Sequence, residues 1–179
     1  MRRYITGLAF VASVIAFAAC SNGPDRLLRD GADAMKGLEV DPTQNEAKLT
    51  KGIESLGLFL DRHPHHENAD SALFMLATLR EIKGDHRDAA QDYLRLLREY
   101  PTSSFRAKSL ILAGHIYEGL NDFNRARAAY DRLIREFPDH EFVTGGSAQW
   151  LLDNIGHPTQ DWPVPYENDS PRESANSVD

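Results

Sequence analysis

Apolar residues in the middle of the chain recur at steps of three and four, and the whole pattern returns 37 residues later. Leu73, Leu76 and Ala77 fall at helical spacing, as do Leu110, Ala113, Gly114 and Tyr117. A second run follows each of these: Ala89, Tyr93, Leu96 and Leu97, then Ala126, Tyr130, Leu133 and Ile134. Between the runs stand Gly84 and Asn121, residue types that tolerate the left-handed backbone beyond a helix C-terminus, so a reversal is predicted at each. Three matching segments close the units: Phe59 to Pro64, Leu96 to Pro101 and Leu133 to Pro138. Proline stops a helix because it lacks the N–H and its ring clashes with the preceding turn. Each unit is therefore a helical hairpin whose apolar face needs the next hairpin as cover.

The flanks vary the pattern. Asp25 to Lys36 reads as one helix and Glu46 to Arg62 as its partner, joined by a turn around Pro42. Glu141 to Ile155 reads as a single closing helix carrying Trp150, Leu151 and Leu152. Terminal units differ from internal ones because one side of each has to cap the stack.

These residues resemble the tetratricopeptide repeat family. Its small residues at the helix crossing are matched by Ala77 with Ala89 and by Gly114 with Ala126; its second-helix aromatic by Tyr93 and Tyr130; its closing proline by Pro101 and Pro138. Arg80 stands where Tyr117 supplies an aromatic in the next unit. The period exceeds the usual length of about 34 by roughly one helical turn, placed at the start of the first helix, where Thr102, Ser103 and Ser104 offer N-caps. Longer repeats of this kind are similar to those of BamD-like and CpoB-like envelope lipoproteins.

The resemblance implies an all-α, right-handed superhelical solenoid of about three tetratricopeptide-like hairpins plus a C-terminal capping helix, over residues 25–156. It also implies a concave face, lined by first helices, that holds a peptide or protein segment. The matching positions are Phe74, Met75, Thr78 and Glu81, then Lys108, Ile111, Leu112, His115 and Glu118, with Gln149 from the capping helix. Apolar members would anchor a partner, and Lys108, Glu81 and His115 would orient it. Phe74, Ile111 and Leu112 fit a core position equally well.

Ahead of the repeats lies an address. Arg2 and Arg3 precede fifteen uncharged residues, Ile5 to Ala19, which end in Phe17-Ala18-Ala19 before Cys20 at a small-residue cleavage site. The run is short for a permanent span, which needs about twenty apolar residues. The tetrad resembles a bacterial lipobox, which implies removal of residues 1–19, acylation of Cys20 and a short linker over 20–24. Ser21 after the cysteine implies the periplasmic face of the outer membrane rather than retention at the inner one. Losing Arg2 and Arg3 moves the net charge from −7 to −9.

Beyond the repeats, residues 157–179 hold four of the nine prolines and five acids with few large apolar groups, a composition expected to be disordered. Within them, Trp162-Pro163-Val164-Pro165-Tyr166 has the make-up of a short docking segment.

Composition narrows the chemistry. One cysteine in 179 residues excludes a disulfide scaffold, and the negative balance argues against nucleic acid as partner. There is no Gly-rich phosphate loop, GxSxG elbow or HExxH, so no catalytic residue and no cofactor is expected. His63 to His66 with Glu67 offers imidazoles and a carboxylate for a metal-dependent reaction, although a solvated turn between repeats explains the same residues. The basic set Arg95, Arg98, Arg132 and Arg135 is accompanied by Glu99 and Glu136, the pattern of a solvated, ion-paired face. The expected function is a non-enzymatic scaffold, lipid-anchored in the cell envelope, that binds envelope proteins or peptides. The alternative is a structural subunit of an outer-membrane assembly or cell-division complex.

Overall fold

The computed structural model describes residues 23–36 and 42–157; the expected signal segment, Cys20 and nearly all of the acidic tail lie outside them. Among the described residues eight α-helices follow one another and there is no strand. They are α1 (Pro24–Met35), α2 (Pro42–Arg62), α3 (Ala69–Lys83), α4 (His86–Glu99), α5 (Arg106–Gly119), α6 (Phe123–Glu136), α7 (Glu141–Thr144) and α8 (Ser147–Asp153). From α1 to α6 each helix packs on the next, α1 also reaches α3, and α8 closes over α6. This is the expected solenoid: three hairpins, α1–α2, α3–α4 and α5–α6, and a cap.

The reversals sit where the sequence placed them. Gly84 has φ +91° and Asn121 φ +58°, and both hairpins close alike. The Asp85 N–H donates to the Arg80 carbonyl at 2.8 Å, and the Asp122 N–H to the Tyr117 carbonyl at 2.8 Å. These bonds satisfy carbonyls that a helix end otherwise leaves orphaned.

Three boundaries differ from expectation. Helix α2 starts at Pro42 rather than Glu46, because proline fits a first helical turn, where its missing N–H is not needed. Helix α5 starts at Arg106, and none of Thr102, Ser103 or Ser104 caps it. Instead the Ser103 Oγ accepts from the Phe105 N–H at 3.2 Å inside the turn. The closing helix is two helices, broken at Gly145–Gly146, where Gly146 takes φ +79°.

The turns between successive hairpins, and the one between the last hairpin and the cap, share one device. His66 Nδ1 accepts from the Asn68 N–H at 3.2 Å, and His140 Nδ1 from the Phe142 N–H at 3.2 Å. With Ser103, the same bond recurs at each 37-residue step.

The interior divides in two. Leu27, Leu49, Leu56, Phe59, Leu60, Leu73, Leu79 and Leu96 fill one cluster, and Ala89, Tyr93, Leu97, Leu110, Ala126, Tyr130, Leu133 and Leu151 are among those of the other. Neighbouring residues Leu96 and Leu97 thus face different cores, so α4 is a wall between them. Phe74 packs against both clusters.

Candidate protein-binding groove

Helices α3 and α5 carry nine of the ten expected groove residues, and the second helix of each hairpin fixes a glutamate among them. Tyr93 on α4 and Tyr130 on α6 are fully buried, with rings directed back at the first helix of the same hairpin. The Tyr93 hydroxyl donates to Glu81 Oε2 at 3.0 Å, and the Tyr130 hydroxyl donates to Glu118 Oε2 at 2.7 Å. Burial, reinforced by the facing carboxylates, pushes both phenols well above the ordinary tyrosine range, so they remain donors. For Tyr93 a hydrogen bond with Thr78 pulls the other way, with Thr78 Oγ1 3.0 Å from its hydroxyl.

Both glutamates line one cleft of about 540 Å³. His86, His115, Ile116, Gly119, Asn121, Phe123, Gly156 and His157 complete its wall. The volume is in the range of sites that hold a side chain or small ligand. Phe123 is 39% exposed, one of two large apolar side chains left open among the described residues.

The ten expected groove residues do not share one place. Glu81, His115 and Glu118 meet in the cleft. Phe74, Thr78 and Lys108 form a second group: Phe74 stacks on Phe105 at 4.7 Å, Lys108 Nζ lies 5.6 Å over the Phe74 ring, and Thr78 Oγ1 donates to the Phe74 carbonyl at 3.0 Å. Met75 and Leu112 are half-buried beside the two cores. Ile111 is buried in the core with Leu110 and Ala113 of the same helix, so it is no part of an open face. Gln149 donates to Asp153 Oδ1 at 2.9 Å within α8 and does not line the cleft.

Sequence reasoning missed His86, Phe123, Gly156 and His157 as cleft residues, and the two tyrosines as orienting groups. The signal for the last was present: a glutamate twelve residues before a tyrosine, at 81 and 93 and again at 118 and 130. Phe123 and His86 are likewise 37 apart.

The histidine loop serves the turn. His63 and His66 both pack on the Phe59 ring, at 5.6 and 5.2 Å, while His66 Nδ1 holds the Asn68 N–H. Among the described residues no group of three His, Cys, Asp or Glu side chains is arranged to hold a metal ion. Two of the four arginines pair as the charge pattern suggested, Arg95 with Glu99 and Arg132 with Glu136, whereas Arg98 donates to the Leu94 carbonyl at 3.4 Å.

Comparison with known proteins adds the family of the two inner hairpins. Residues 71–103 and 107–140 each match a model of the tetratricopeptide repeat, and neither match is to a catalytic family. No curated protein matches the chain. Repeats of this kind generally act as protein-binding units, and the two inner hairpins are similar to them.

Proposed function

We propose that the protein is a lipid-anchored scaffold on the periplasmic face of the outer membrane, whose first-helix groove holds a segment of another envelope protein. The observation that supports the groove best is the repeated Tyr–Glu bond. It fixes Glu81 and Glu118 at equal register in successive repeats, both facing one cleft. Carboxylates held by buried donors need no reordering when a partner arrives, which lowers the entropic cost of binding. Anchoring is supported by the charged start, the short apolar run and Cys20 after Ala18-Ala19. Several acyl chains together, at about 0.8 kcal/mol per buried methylene, suffice to keep a protein on a bilayer.

Metabolic labelling with a fatty-acid probe tests the anchor: the chain should label, and Cys20→Ser should lose the label and leave the membrane fraction. An unlabelled parent chain would overturn that half. For the groove, Met75→Lys with Leu112→Lys should abolish capture of the crosslinked partner in intact cells. A folded variant that retains the partner would move the contact to helix ends or edges, as in a structural subunit of a larger assembly.

A further inference from the structure

The end of the described chain runs into the cleft. After α8 the backbone turns at Gly156, where φ is +82°, a conformation side chains disfavour. A Cβ there would also lie 3.2 Å from the Phe123 ring. The Gly156 N–H points at Glu118 Oε1, 3.4 Å away, and His157 is part of the cleft wall. The described residues therefore end at the cleft wall, with 22 residues of sequence still to follow.

We infer that residues 158–166 of this chain lie along the cleft and the adjoining first-helix face, as an intramolecular occupant that an outside partner has to displace. Trp162 is five residues past His157, about 17 Å of extended chain, whereas Glu118 and the half-buried Leu112 are about 9 Å apart along α5. The segment thus reaches across the cleft with length to spare. Its chemistry suits the wall: Trp162 and Tyr166 supply apolar area for Phe123, and an indole N–H and a phenol for Glu81 and Glu118, whose carboxylates can accept further bonds. Three prolines, at 158, 163 and 165, reduce the ordering cost. Charge sets the limit of docking. Residues 158–166 contain a single acid, Asp161, whereas Glu167, Asp169, Glu173 and Asp179 follow and are repelled by the cleft glutamates. Tethering gives an effective concentration on the order of millimolar, so a segment with a Kd of about 0.1 mM would weaken an outside peptide roughly tenfold. This inference rests on the groove reading above only for its consequence, the competition.

The test uses residues 20–179 with Cys20→Ser, which hold every described residue without acyl chain or detergent, and with Trp150→Phe, so that Trp162 is the sole indole. Acrylamide should quench Trp162 several-fold less than in urea, independently of protein concentration. Phe123→Asp should raise quenching to the urea value while the far-ultraviolet melting curve persists. A photo-crosslinking residue at position 162 should attach within α3, α5 or the start of α6, which keeps the test decisive if Phe123→Asp fails to fold. Quenching as in urea overturns the inference. So does protection that depends on concentration, which assigns the segment to a second copy, or crosslinking elsewhere. Because no partner is present, loss of tail docking and loss of partner capture are read separately.

Discussion

The two inner hairpins are copies that differ most where their helices cross. In α3–α4 the crossing holds Ala77 and an ion pair, Arg80 with Asp92, whose side chains are 29% and 9% exposed. In α5–α6 the same steps hold Gly114, Tyr117 and Ala129, with the Tyr130 ring pressed against the Gly114 backbone. The Arg125 guanidinium lies 5.6 Å over the Tyr117 ring, so a cation covers this end of the crossing in both hairpins. What stays constant is the tyrosine hydroxyl on the glutamate. The scaffold therefore tolerates ionic or aromatic filling between its helices but keeps the bond that faces the cleft.

Exchanging the differences is the most direct way to break this comparison. Gly114→Ala places a methyl 2.4 Å from the Tyr130 ring and should cost about 3 kcal/mol, the upper end for overpacking. Ala77→Gly should cost only about 1 kcal/mol through helix propensity. A rise in melting temperature for Gly114→Ala would show that propensity decides there and that the ring is not seated as described.

The ion pair comes next. Burial raises the Asp92 pKa despite the pull of Arg80, so the charged form is disfavoured in the fold. Its stabilising effect is greatest below the ordinary carboxylate range and declines as pH rises through the folded pKa. Asp92→Ala alone strands Arg80 and should cost about 2 kcal/mol. Arg80→Tyr with Asp92→Ala, which copies the third hairpin, should be neutral or slightly stabilising at pH 7 in urea titrations. A double variant as unstable as the single one would show that the hairpins are not interchangeable.

The shared feature gives a smaller effect. Tyr93→Phe and Tyr130→Phe should each cost about 1 kcal/mol in urea titrations. Both folded pKa values are raised, so stability is complete below the unfolded value of about 10 and falls as pH rises beyond it. The double phenylalanine variant should show a shallower alkaline loss of melting temperature, and an unchanged slope would contradict the burial of these hydroxyls. Smallest of all, His66→Ala should cost roughly 0.5 kcal/mol and His66→Ser should restore it, since Ser103 makes the same turn bond. If serine fails to rescue in thermal melts, the turns are not equivalent.

Much of the fold was legible because a 37-residue period states each structural role twice. Gly84 and Asn121, the buried alanines and tyrosines, and the arginine–glutamate pairs all lie where spacing alone puts them. The closing helix was misread because its apolar residues continue across Gly145–Gly146 and periodicity outvoted the glycines. The caps at Thr102 to Ser104 were misread because a hydroxyl can serve a turn as readily as a helix start. The cleft was the least legible part. Its wall comes from two hairpin reversals and from the chain after α8, segments that no local pattern brings together.

The wall formed by α4 has a mechanical meaning. With Leu96 anchored in one core and Leu97 in the other, and Leu76 and Ala77 divided in the same way, the array has a seam along the α3–α4 hairpin, with Phe74 packed against both sides. A repeat array of this kind adds its stability unit by unit. Drawn out from its ends, the molecule gives way in two steps, and the surviving half keeps only part of the cleft.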